Sequence, residues 1–100
     1  MKGFTTTLLH TFYQPSKQTG DIIPPLHLST TFQFGNERGY DYSRSGNPTR
    51  EILEKTLAAL DGVSYGLAFS SGSAVLAAVV ATIPTGKKIL FSSDAYGGLS

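Results

Sequence analysis

Cysteine is absent from these 100 residues. That excludes a disulfide framework, a thiolate nucleophile and any cysteine-ligated metal. Histidine is nearly absent: His10 and His27 are too far apart to share a helix face as a metal pair, so no metal site is expected. Charge is scarce as well, 15% of residues against about a quarter in ordinary soluble domains. Apolar content is normal at 40%, so a chain this poor in charge is expected to cover much of its surface with something else. Eight Lys plus Arg face seven Asp plus Glu. A net charge of +1 argues against nucleic acid or an anionic membrane as the main partner. No apolar run approaches the roughly 18 residues of a membrane span. Met1–Gly20 has neither the apolar core of a signal peptide nor one arginine of a transit sequence. The expectation is a single cytoplasmic domain's worth of chain.

What is present divides near Asn47. Residues 1–46 show no helical period and are rich in Thr, Gln, Ser, Gly and Pro. Ile22-Ile23-Pro24-Pro25-Leu26 must be extended, because a residue before proline is pushed out of the α region. Leu28–Phe34 alternates loosely, as a short strand or an extended arm would. So long a structureless stretch is unusual inside a compact domain, and its aromatics, among them Phe4, Phe12, Phe32, Tyr40 and Tyr42, are too many for a disordered tail. It is expected to be an arm docked on a neighbouring subunit.

From Asn47 the signals sharpen. Asn47 is an N-cap and Pro48 suits the first helical position. Ile52, Leu53, Thr56, Leu57 and Leu60 follow at helical spacing, with Glu51 and Lys55 paired on the outer face. Gly62 closes that helix in the left-handed conformation. Tyr65–Phe69 reads as a buried strand, Ser70–Ser73 as a turn, Ala74–Ile83 as a buried helix, Lys88–Ser92 as a second strand and Asp94–Gly98 as another turn. Strand, turn, helix, strand is a βαβ unit, so the fold class is α/β with a mostly parallel sheet flanked by helices.

In such a sheet the Ser70–Ser73 and Asp94–Gly98 turns emerge at one edge, where ligands of open α/β sheets bind. Gly72 allows close approach to the main chain. The free N–H groups of Ser71, Gly72 and Ser73 at a helix start suit a phosphate, although the same turn also serves as a plain helix cap. Tyr96, beside Gly97 and Gly98, can lie flat against a planar ring or simply fill space. Arg44 offers a planar fork to a phosphate and Tyr42 a phenolic O–H beside it. Asn47, Pro48 and Thr49 need no reading beyond the helix start, and Arg38 and Arg50 read as solvated surface charges.

Taken together, Tyr42-Ser-Arg-Ser-Gly-Asn-Pro-Thr-Arg50, Leu67-Ala-Phe-Ser-Ser-Gly-Ser73 and Asp94-Ala-Tyr-Gly-Gly98 resemble the N-terminal part of the cysteine/methionine-metabolism family of pyridoxal-phosphate enzymes. Pro24–Phe32 fits that family's proline-bearing arm. The resemblance implies a fold-type I transferase with pyridoxal 5′-phosphate as cofactor. It implies an arm over residues 1–46 on the neighbouring subunit and the beginning of the cofactor-binding large domain over 47–100. Tyr42 and Arg44 would reach the phosphate of the neighbouring subunit's cofactor. Ser71, Gly72 and Ser73 would hold the phosphate of their own subunit's, and Tyr96 would stack on the pyridine ring and act as the catalytic acid–base residue.

The activity implied is carbon–sulfur cleavage of cystathionine to cysteine, as in the γ-lyases, by a homo-oligomer built as a dimer of dimers. The alternatives are γ-synthase, β-lyase or acylhomoserine sulfhydrylase chemistry in the same family, or a non-catalytic phosphate-binding module. Two positions depart from the family pattern: Ser73 replaces a Met or Leu, and Leu99 replaces a Thr. The family's cofactor-holding lysine belongs downstream of Ser100, and none of Lys2, Lys17, Lys55, Lys87 and Lys88 is placed to substitute. The chain is therefore expected to be an N-terminal fragment, inactive alone.

Overall fold

A computed structural model describes residues 3–99. Met1, Lys2 and Ser100, and with them the reading of Lys2, lie outside the described residues. The chain forms two compact units, residues 1–68 and 69–100.

The first unit is built around α2, Pro48–Leu60. Its start follows the sequence expectation: the Asn47 side chain accepts from the Thr49 N–H, and Pro48 stands at the first helical position. Its end does too. Val63 N–H donates to Ala58 O at 2.9 Å and Gly62 N–H to Ala59 O at 3.2 Å. This Schellman arrangement needs the left-handed φ of +68° that Gly62 supplies. The expected apolar stripe is only partly covered. Thr56 and Ala58 are buried and Ile52 and Leu60 half-buried, while Leu53 and Leu57 stay at the surface.

After the helix the chain returns along it. The return is close at Gly66, where a Cβ would come within 2.6 Å of Glu54 O. Glu54 Oε1 then accepts from Ala68 N–H at 3.0 Å. Between this segment and the helix lies a groove of about 470 Å³ lined by Ala58, Val63, Tyr65 and Leu67, with Phe12 at its side.

Residues before α2 contain a helix that the sequence did not suggest, α1, Phe4–His10. Seven residues are too few to display a period, and Thr5-Thr6-Thr7 disfavours helix. A helix so short is not stable alone; α1 packs against α2. Further along, Thr31 and Tyr42 form an antiparallel bridge, flanked by Phe32 N–H to Asp41 O and Ser43 N–H to Thr30 O, both 2.8 Å. One side chain organises the loop between them. Asn36 Nδ2 donates to Gln33 O and Tyr40 O, and Asn36 Oδ1 accepts from Tyr40 N–H.

Charged groups tie this loop to α2. Glu51 accepts from the Tyr40 hydroxyl, from Lys55 and, at 3.0 Å, from Arg38. The Arg38 guanidinium also lies 5.1 Å from the centre of the Tyr40 ring. Arg38 is thus the exposed surface charge expected from sequence, with a pairing to Glu51 that the sequence did not suggest. Burial, and then the bond to Glu51, push the Tyr40 phenol up from 10.0 to about 12. The bonds from Lys55 and Tyr40 hold the Glu51 carboxyl below its ordinary 4.5.

In the second unit α3 spans Gly72–Ala81, two residues earlier at both ends than expected, because Ser71 is its N-cap and accepts from Ala74 N–H at 3.1 Å. It was expected to be buried, but none of its residues is; Val79 is 53% exposed. Neither Tyr65–Phe69 nor Lys88–Ser92 carries a strand ladder among the described residues. A strand exists only through its partners, and these apolar runs have none among the described residues: Leu67 is 77% and Leu90 98% exposed. Among the described residues no helix is long and apolar enough to cross a membrane.

Two outcomes follow for the 100-residue chain. In native-state hydrogen exchange the amides of α2 should be the slowest, whereas those of α3 should exchange close to unfolded-chain rates; equal protection of both helices would contradict this. In a spectrophotometric titration one of the five tyrosines should ionise late, near 12, and Tyr40→Phe should remove that step. A group whose folded pKa is raised stabilises below its ordinary value and loses that contribution as pH rises, here from 10.0 to about 12. Glu51, whose folded pKa is lowered, stabilises above 4.5 and loses its contribution as pH falls through the depressed value. The loop should therefore loosen at both ends of the pH scale, and a Tyr40→Phe chain with an unaltered alkaline edge would refute the assignment.

Candidate functional site

The bridge at Tyr42 leads into a turn in which Ser45 and Gly46 N–H groups donate to Tyr42 O at 2.9 and 3.0 Å. The turn brings Tyr42 and Arg44 together: the Arg44 guanidinium carbon lies 4.7 Å from the centre of the Tyr42 ring. Arg44 is exposed and Tyr42 half-buried, so a phenolic O–H and a five-donor cation stand side by side at the surface. That is a donor set for an oxyanion such as phosphate.

The turn is held by residues that the sequence reads only as a helix start and a surface charge. Asn47 does more than cap: its Nδ2 donates to Ser43 Oγ at 2.7 Å and to His27 O at 3.1 Å. Thr49 Oγ1 accepts from His27 N–H at 2.8 Å and donates to Pro25 O at 3.5 Å. Arg50, expected to be a solvated charge, donates to Ser43 O at 3.0 Å and Arg44 O at 3.3 Å, and its Nε faces Glu54 at 3.6 Å. One sequence signal could have exposed Arg50: a cation in the first turn of a helix opposes the macrodipole and needs a local reason to be there.

In the second unit Ser71 caps α3 and Gly72 and Ser73 begin it, two residues before the expected start. Gly72 and Ser73 occupy its first two positions, whose N–H groups have no acceptor within a helix. A Cβ on Gly72 would meet nothing within 4 Å, so a ligand oxygen can reach the main chain there. Tyr96 stands on the later turn, which is supported by Asp94 N–H donating to Ser92 Oγ at 3.2 Å. Tyr96 is 78% exposed and its ring lies against Gly98, where a Cβ would come within 2.7 Å of Tyr96 Cε1. A side chain at Gly98 would push the ring aside. Among the described residues no group of three His, Asp or Glu side chains gathers as metal ligands. Lys55, the lysine on α2, is engaged by Glu51.

Comparison with known proteins supplies the context for these constellations. The chain is 44% identical over 99 residues to cystathionine gamma-lyase of Bos taurus, covering 95% of this chain and 24% of that protein. It is 47% identical over 83 residues to cystathionine gamma-lyase of Saccharomyces cerevisiae, covering 79% and 21%. The crystal structure of a cystathione gamma lyase from Micromonospora echinospora superimposes with a TM-score of 0.87 at 38% identity, over 98% of this chain and 26% of that one. The chain thus spans about a quarter of the length of its relatives. The shared fold is that of the fold-type I pyridoxal-phosphate enzymes, the α/β class expected from the sequence. The model of the Cys/Met metabolism PLP-dependent enzymes matches residues 5–100, and to that family this chain belongs.

Proposed function

We propose that the whole protein carrying these residues is a pyridoxal-phosphate-dependent carbon–sulfur lyase that cleaves cystathionine to release cysteine. The observation that carries the choice of reaction is the 44% identity over 99 residues to the Bos taurus cystathionine gamma-lyase. The donor chemistry of the chain supports the cofactor. Tyr42 and Arg44 pair a hydroxyl with a guanidinium, and the start of α3 offers main-chain N–H groups behind an open Gly72. Both suit a phosphate dianion, and the exposed Tyr96 ring suits a planar heterocycle.

In this reading Ser71, Gly72 and Ser73 hold the phosphate of their own subunit's cofactor. Tyr42 and Arg44, carried on an arm over residues 1–46, serve the neighbouring subunit in a cytoplasmic homo-oligomer built as a dimer of dimers. Residues 47–100 open the cofactor-binding domain. When bound, the cofactor acts as an electron sink for the reacting amino acid. Tyr96 would stack on it, and its Oη, having given up its own proton, would take one from the incoming amino group and free the nitrogen to react. The lysine that holds the cofactor would come from elsewhere in the whole protein, as the family pattern implies.

Arg44→Ala in the whole protein should weaken cofactor binding by on the order of tenfold or more, through lost charge-assisted hydrogen bonds. Mixing Arg44→Ala chains with chains lacking the cofactor-holding lysine should restore some activity, since each mixed dimer then keeps one intact site; no recovery would refute the cross-subunit role. Tyr96→Phe keeps the stacking surface and removes the proton acceptor. Turnover should fall roughly 10²-fold or more with cofactor content retained. Loss of cofactor with normal turnover of the remaining holoenzyme would make Tyr96 a stacking platform only.

A further inference from the structure

The hydrogen bonds of the Tyr42–Arg44 turn leave two successive carbonyls, Ser43 O and Arg44 O, pointing toward α2. Both are taken by Arg50, one from each terminal nitrogen, at 3.0 and 3.3 Å. The guanidinium is a rigid planar fork, so gripping two adjacent carbonyls fixes the peptide that joins them in place and in tilt. The third nitrogen, Nε, faces Glu54 Oε1 at 3.6 Å, one helical turn along α2. The same oxygen accepts from Ala68 N–H at 3.0 Å, which holds the carboxylate and through it the fork.

All three nitrogens of Arg50 thus face acceptors of this chain. The side chain is one-third exposed and its partner Glu54 one-fifth, so this is no freely solvated pair. The helix dipole disfavours a cation at this position, and two main-chain acceptors supply the compensating attraction.

We propose that Arg50 is a positioning residue for phosphate binding: it clamps the Ser43–Arg44 main chain so that the Arg44 guanidinium and the Tyr42 phenol meet one phosphate together, without touching the phosphate itself. Glu54 anchors the clamp. This rests on the reading of Tyr42 and Arg44 as phosphate ligands, and the experiment separates the two.

The discriminating variant is Arg50→Lys. An ammonium keeps the charge and its attraction to Glu54 but cannot grip two carbonyls. Apo whole protein would be titrated with pyridoxal 5′-phosphate and, separately, with pyridoxal, which lacks the phosphate, for the parent, Arg44→Ala, Arg50→Lys and the double variant. Arg50→Lys should bind pyridoxal phosphate about tenfold more weakly and pyridoxal as the parent does. It should add little to the loss already caused by Arg44→Ala, as coupled neighbours do.

Equal weakening toward both ligands, full additivity with Arg44→Ala, or parental affinity for pyridoxal phosphate would each overturn the clamp. If Arg44→Ala itself fails to discriminate between the two ligands, the phosphate reading of Arg44 falls, and the clamp with it. Should Arg50→Lys not fold, Glu54→Gln, which loosens the anchor and leaves Arg50 in place, must show the same phosphate-selective loss, and its absence overturns the proposal.

Discussion

The structure of residues 3–68 depends on one buried carboxamide. Asn47 is 8% exposed and three of its four hydrogen-bonding positions are filled, by Thr49 N–H, Ser43 Oγ and His27 O. Leaving a buried polar group unpaired costs about 1–3 kcal/mol. Burying this amide therefore requires that a helix start, a turn and a proline-bearing segment arrive at one point. Thr49 repeats the demand one step along the helix by bonding both Pro25 and His27. The arm residues before α2 consequently have a defined course although they form almost no regular structure. Arg50 can reach the Ser43 and Arg44 carbonyls only because the joint has already brought the turn there.

The scarce charges are concentrated on that course. Glu51 collects Tyr40, Arg38 and Lys55, and Glu54 collects Arg50 and the Ala68 N–H. Glu51 lies in the first turn of α2, where the dipole favours negative charge, and Glu54 lies at the middle of the helix. Each holds a segment distant in sequence. Surface ion pairs stabilise little on their own; here their consequence is geometric, since they tie the 36–40 loop, the Tyr42–Arg44 turn and the 66–68 return to one helix. The second unit works by different means. Its candidate phosphate contacts are main-chain N–H groups at the start of α3, so side-chain chemistry at Ser73 matters less there than the cap at Ser71 and the open approach at Gly72.

Features set by neighbours in sequence were legible in advance. The Asn47 cap, Pro48, the left-handed Gly62 and the helix start at Ser71–Ser73 all depend on contacts within about five residues, and a residue type there has few other uses. The pairing of Tyr42 with Arg44 on one turn was legible for the same reason. Contacts across twenty residues were not. Nothing local in His27 announces that its carbonyl meets Asn47, or that its N–H meets Thr49. Arg50 looked like a solvated charge because its acceptors are two main-chain carbonyls of a turn, and the Glu51 partner of the exposed Arg38 is thirteen residues away. Helix α1 was missed because a helix of seven residues stands on packing. The strand readings at 65–69 and 88–92 identified apolar segments correctly but assumed partners that the described residues do not provide.

The central claim is that the Asn47 joint, and not helix formation as such, fixes the Tyr42–Arg44 corner proposed to bind phosphate. Asn47→Ser separates the two, because serine caps a helix about as well as asparagine yet is too short to reach Ser43 and His27 as well. The measurement is the affinity of the whole apo protein for pyridoxal 5′-phosphate, taken together with its helical content. The account predicts unchanged helicity and binding weakened by on the order of tenfold, the scale of one or two lost hydrogen bonds. Parental affinity in an Asn47→Ser protein with intact helices would contradict it.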